Sequence, residues 1–151
     1  FWFQTMMFAK RIYFYNKPYY YNRRDNPNSS VYNKAKVYCM NDEYKFIMDI
    51  MDKYPDLKEK YKYQYNRKKF LNYVFTYNRL AKEFKWEYLG SFNKELKEAN
   101  EAGDIDWSLF NDKERKELEM ILNDPGEHYN KIKADELKKK YDREIQKKMS
   151  S

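Results

Sequence analysis

Four aromatic residues recur at every seventh position in the middle of the chain: Tyr63, Phe70, Tyr77 and Phe84. Seven residues make close to two turns of α-helix, so this spacing predicts one aromatic stripe on a helix of about 56 to 82. Tyr73, Val74, Leu80 and Ala81 lie beside the stripe, and Lys60, Arg67, Lys68, Arg79 and Lys82 take much of the remaining surface. A stripe this aromatic belongs in a core, with tyrosine hydroxyls near its rim. The helix therefore needs other helices to cover it.

The neighbouring text supplies them. Asn41 reads as an N-cap, with Asp42 and Glu43 complementing the dipole of the first turn. Ile47, Ile50, Met51 and Tyr54 follow on one stripe, and Tyr54-Pro55 closes that helix. A helix over about 85–102 presents Trp86, Leu89, Phe92, Leu96 and Ala99, and Gly103 stops it. Asn111 with Glu114 three residues on is a capping box. Leu118, Ile121 and Leu122 form the stripe behind it, and Asn123-Asp124-Pro125-Gly126 breaks the helix. A last helix over about 134–149 offers only Leu137, Tyr141 and Ile145, a stripe thin enough to fray or to need a partner. The Lys138-Lys139-Lys140 run reads as a solvated face.

The start of the chain reads differently. Residues 2–9 form the end of a helix, Arg11 to Tyr15 a short strand, Asn16-Lys17-Pro18 a turn, and Tyr19 to Arg23 a second extended segment. Residues 24–34 are loop, with Pro27 and several Asn, Asp and Ser. The opening Phe1-Trp2-Phe3 has no initiator Met, no cap and no basic leader, and reads as the cut end of a longer protein.

Composition removes several classes of function. The 151 residues hold one Cys, one His and three Gly. A lone Cys39 excludes a disulfide framework and favours a reducing compartment. A lone His128, read as a surface residue, excludes a multi-histidine metal site and a Ser/His/Asp triad. Three glycines supply no phosphate-cradling loop. The net charge is +7, and it is uneven. Residues 1–77 carry 15 Lys and Arg against 7 Asp and Glu, and 14 of the 17 Tyr. Basic charge among aromatics suits an anionic partner: nucleic acid, a phosphorylated molecule or a headgroup surface.

One stretch carries a family resemblance. Ala9-Lys10-Arg11-Ile12-Tyr13-Phe14-Tyr15-Asn16-Lys17-Pro18-Tyr19-Tyr20-Tyr21-Asn22-Arg23, continued by Asp25 to Val31, resembles the end of the catalytic domain of bacterial family 2 glycosyltransferases. Such enzymes close that domain with an aliphatic strand, a Pro turn, a Tyr-Tyr-x-Arg segment and a Ser-rich loop. Further blocks match a subgroup: Cys39 with Asp42-Glu43-Tyr44, Pro55-x-Leu57-Lys58-Glu59-Lys60, Arg67-Lys68-x-Phe70, Tyr77-Asn78-Arg79 and Ser108-Leu109-Phe110-Asn111.

The resemblance implies a nucleotide-sugar transferase that builds surface polysaccharide, by inverting transfer with a carboxylate base and a divalent metal, Mg or Mn. It also implies that base, metal motif and nucleotide-binding strand lie upstream, so this chain alone is non-catalytic. The expected fold is then mainly α: a helical bundle of four or five helices preceded by a short β-hairpin-like remnant of an α/β catalytic domain. The expected division is 1–35 for the end of the catalytic domain, 36–125 for a helical domain and 126–151 for a terminal helix. Expected partners are the N-terminal catalytic domain, the nucleotide-sugar donor bound there, an anionic membrane surface and a second copy of the chain. The expected location is cytoplasmic, with peripheral contact at the inner face of a membrane.

Tyr21, Arg23, Arg24, Asp25, Ser29 and Ser30 are the candidate substrate-binding residues, because Arg forks and Ser hydroxyls suit phosphate oxygens. The same residues could equally anchor the loop to itself. Asp104-Ile105-Asp106 has the form of an Asp-x-Asp metal motif, but it follows a helix stop, and Asp106 reads better as a cap. The alternative from another class is a basic helical module that binds nucleic acid.

Overall fold

A computed structural model describes residues 2–18 and 39–149, with side chains described for 5–18 and 42–149. Among the described residues the chain is helical, with no strand: α1 (Trp2–Phe8), α2 (Cys39–Asp52), α3 (Pro55–Arg79), α4 (Lys82–Glu101), α5 (Asp112–Asn123) and α6 (Pro125–Met149). A 3-10 turn, Trp107–Leu109, links α4 to α5. The mainly α bundle is as expected. Arg11 to Tyr15, expected as a strand, adopt neither strand nor helix. The second expected strand lies outside the described residues.

The aromatic stripe builds the centre. Tyr73, Phe70 and Tyr77 of α3 are buried, as are Tyr88, Leu89, Phe92 and Leu96 of α4. Successive α3 residues meet receding α4 residues: Phe70 faces Phe92, Tyr73 faces Phe92 and Tyr88, and Lys85 lies over the Tyr77 ring. The two helices are therefore an antiparallel pair. The predicted single helix through residue 82 is instead cut at Leu80 and Ala81, whose ψ angles are 146° and 149°. No Pro or Gly marks that break. It folds the stripe back on itself, so Phe84 sits on α4 rather than continuing α3.

The remaining helices close the bundle. α2 lies against α3 through Tyr44 and Tyr65, whose rings meet edge to face. α5 covers the other side with Leu118, Ile121 and Leu122, and Asn93 Nδ2 donates to the Ile121 carbonyl. Its start is the predicted capping box: Glu114 N donates to Asn111 Oδ1, and Asn111 N donates to Glu114 Oε2. Gly103 ends α4 with φ +73°, while Asp104 N and Gly103 N donate to the Ala99 and Asn100 carbonyls. These are the two bonds of a Schellman cap, and its left-handed residue is naturally Gly.

Two expectations about side chains are overturned. Trp86 was placed on the core stripe of α4, but it is exposed, with its edge against Tyr129. His128 was placed on the surface, but it is buried. Trp86 lies about 100° around α4 from Lys85, which shares the buried face with Tyr88, Leu89, Phe92 and Leu96. His128 has a different cause. α6 begins at Pro125, not near residue 134: Asp124 Oδ1 accepts from Glu127 N, capping a helix with Pro at its first position. That early start carries His128, Tyr129 and Ile132 onto the bundle.

Candidate functional site

The six sequence-predicted binding residues, Tyr21, Arg23, Arg24, Asp25, Ser29 and Ser30, lie outside the described residues. The structure does place the two other candidates. Asp104 and Asp106 are not a metal pair. Asp104 Oδ1 is 3.4 Å from Lys62 Nζ, and Asp106 Oδ1 accepts from Ser108 N and Oγ. Those bonds hold the Asp106 carboxyl below its ordinary range, as befits a cap. Among the described residues no group of three His, Cys, Asp or Glu is placed to hold a metal ion. No described helix is long and apolar enough to cross a membrane.

Two surfaces have the shape of a site. The first is an apolar groove where α1 and the segment after it meet α2 and α3. Met6, Met7, Ile12, Ile47 and Tyr61 line a cavity of about 480 Å³, with Lys68 at its edge. Its floor is polar but satisfied. Tyr65 Oη donates to the Tyr44 carbonyl at 2.8 Å, and Asn72 Nδ2 donates to Tyr44 Oη, which in turn donates to the Lys68 carbonyl. Burial pushes both phenols upward, so they stay neutral and the groove presents carbon to whatever enters it.

Beside the groove the chain leaves four large apolar side chains in water. Ile12, Tyr13, Phe14 and Tyr15 are consecutive, and Tyr13 and Phe14 are 85% and 93% exposed. Lys10, Arg11 and Lys17 flank them. Single exposed aromatics are ordinary; Ile12, Tyr13 and Phe14 in succession make an exposed apolar patch.

The second surface is a charged groove of about 730 Å³ between the end of α3, α5 and α6. His128 Nε2 lies 3.2 Å from Glu117 Oε1 there, and its ring packs against Tyr77. Lys113, Lys116, Lys131 and Lys139 alternate with Asp112, Asp135 and Glu136 along its walls. The mixture of signs gives it no bias toward an anion or a cation.

The basic charge of α3 is largely spent within the fold. Lys58 pairs with Asp52, Lys62 with Glu59 and Asp104, Arg67 with Glu114, and Lys69 with Glu95. Sequence reasoning counted Arg67 as surface and missed these pairs, because Glu95, Asp104 and Glu114 arrive from distant parts of the chain. It also missed Lys85, whose side chain is only 5% exposed and whose Nζ sits 2.6 Å from Glu136 Oε1. No family model, curated protein or solved structure matches this chain.

Proposed function

We propose that this chain is the C-terminal support module of a nucleotide-sugar glycosyltransferase of the family 2 type, and that it takes no part in the chemistry itself. The observation that carries the reading is the exposed run Ile12–Phe14 with the apolar groove beside it. A rigid helical bundle holds out an aromatic segment that another protein body would bury. A final strand leaving a catalytic sheet and entering its helical appendage has this character. The bundle would brace the sheet and shape the acceptor side of the cleft, while Tyr21, Arg23, Arg24, Asp25, Ser29 and Ser30 would reach the donor diphosphate. Donor, general base and the Mg or Mn ion would sit in the N-terminal domain. Asp104 and Asp106 do not fit that ion, being engaged with Lys62 and Ser108. A cytoplasmic enzyme with its acceptor at a membrane surface is the setting this reading implies.

The alternative, a nucleic-acid module driven by charge, is weakened by the ion pairs of α3. A generic oligonucleotide titrated at low salt separates the two: charge-driven binding gives a shift that falls steeply with salt, and the support reading predicts none. The direct test is made on a transferase that carries this module. A transferase ended at residue 40 of this numbering is expected to lose solubility or sugar transfer. Full activity and solubility in that truncation would refute the proposal.

A further inference from the structure

The first turn of α4 borders a small cavity that α3 and α6 close. Tyr77, Lys82, Lys85, Tyr129, Lys133 and Glu136 line it, and its volume is about 30 Å³. Two of these side chains are buried polar groups. Tyr77 is 2% exposed, and its hydroxyl has no hydrogen-bond partner. Lys85 is 4% exposed, with its ammonium over the Tyr77 ring. A buried hydroxyl without a partner costs free energy, and an acceptor entering the cavity would remove that cost. Burial, and after it the neighbouring Tyr129 and Glu136, push the Tyr77 phenol upward, so it keeps a proton to donate.

The charges around the cavity indicate what that acceptor is. α4 starts behind Ala81, which has no side-chain oxygen to cap the first-turn N–H groups, so the positive end of the helix is left for another acceptor. Lys82 and Lys85 stand three residues apart on that turn and share a face. Lys133 joins them from α6. Glu136 lies 2.6 Å from Lys85 and neutralises it. Among the described residues no ion pair engages Lys82 or Lys133. The lining thus holds three cations against one anion, and Glu83, the acidic residue of the turn, is not part of it. Chloride would balance half of that surplus. A phosphate group, at about −1.5 to −2 near neutral pH, balances it whole. A space this small takes little more than one oxygen atom. The other oxygens stay at the mouth, where the exposed Lys82 and Lys133 can meet them.

We propose that this cavity is a phosphate-binding site, in which the Tyr77 hydroxyl and the first turn of α4 hold one oxygen while Lys82 and Lys133 clamp the rest. The site is independent of the glycosyltransferase reading. A ligand this small should bind with a dissociation constant of about 1 mM. The whole chain, labelled with nitrogen-15, is titrated with inorganic phosphate to about twenty times that value, with sodium chloride at equal ionic strength as the control. Phosphate should shift the backbone amides of residues 82–85 saturably, and chloride should not. Y77F should keep its helical circular dichroism and weaken the binding about tenfold, since it removes one charge-assisted hydrogen bond. K82Q/K133Q, which changes only exposed side chains, should weaken it at least as much. Phosphatidylcholine vesicles carrying phosphatidic acid present the same group on a lipid. Y77F-sensitive binding of free phosphate identifies a soluble ligand, and Y77F-sensitive flotation with these vesicles alone identifies a headgroup. The proposal is overturned if neither source binds, if chloride reproduces the shifts, or if Y77F and K82Q/K133Q bind as the wild type does.

Discussion

Lys85 and Glu136 offer the sharpest test of how α6 is held. The ammonium lies 2.6 Å from the carboxylate and over the face of Tyr77, 5.1 Å from the ring centre. The two partners sit in different surroundings. The Lys85 side chain is 5% exposed, whereas that of Glu136 is 38% exposed. Removing the carboxylate leaves a buried cation unpaired; removing the cation leaves a carboxylate that can turn to water. Stripping one partner from a buried pair costs about 3–5 kcal/mol. Water reaching the Glu136 side screens the pair, which brings E136A down to about 2–3 kcal/mol. At 2–4 °C per kcal/mol for a chain of this size, the melting temperature should fall by roughly 4–12 °C. K85M keeps the stem against Tyr77 and removes the charge, so it should lie within about 1 kcal/mol of wild type. Urea unfolding followed at 222 nm gives both values. Emission from Trp86, packed on Tyr129 of α6 and isolated by W2F/W107F, reports whether that helix leaves first. The reasoning fails if K85M is as damaging as E136A, because the pair would then act through its attraction and not through burial of the cation.

Other expectations follow from the tyrosine core. Burial first of all pushes the Tyr44, Tyr65, Tyr73 and Tyr77 phenols above their ordinary value, so the folded state keeps protons that the unfolded chain releases above pH 10. Their contribution is whole below that pH and shrinks above it, by about 1.4 kcal/mol per pH unit for each fully neutral phenol. Urea midpoints should be level from pH 8 to 9.5 and fall steeply toward pH 11, and a level profile to pH 11 would contradict the buried placement. Y77F should be neutral or stabilising, because the Tyr77 hydroxyl is buried with no partner, whereas Y73F should lose about 1–2 kcal/mol with its bond to Glu95 Oε2. G103A should cost about 1–2 kcal/mol through its positive φ alone, since a Cβ there meets nothing. N111A, which opens the capping box of α5, should cost about 1 kcal/mol by the same urea assay.

What could be read in advance divides along a physical line. Local signals worked where one segment decides its own fate. The Asn111–Glu114 cap, the Gly103 stop and the stripe Leu118–Ile121–Leu122 are all as the spacing implied. Failures came where a distant partner decides. The break at Leu80–Ala81 has no Pro, Gly or cap residue to announce it, and both residues are ordinary helix formers. It exists because an antiparallel return buries Phe70, Tyr73 and Tyr77 on one side against Tyr88 and Phe92. Arg67 was assigned to the surface and is instead drawn to Glu114, 3.4 Å away on α5. His128 was misread for a local reason: Asp124-Pro125-Gly126-Glu127 is both a stop for α5 and a cap for α6, and reading only the stop delayed the helix by about nine residues.

The same line explains why the two faces of interest are the ones the fold leaves unsettled. A core tyrosine has its surroundings fixed by the bundle, and its neighbours answer for it. Ile12, Tyr13 and Phe14 are exposed, as are Leu137, Tyr141 and Ile145. Their charges differ in kind. Only cations, Lys10, Arg11 and Lys17, flank the N-terminal run, so it favours a partner with acidic character. The α6 stripe instead mixes Lys138, Lys140 and Lys148 with Asp142 and Glu144.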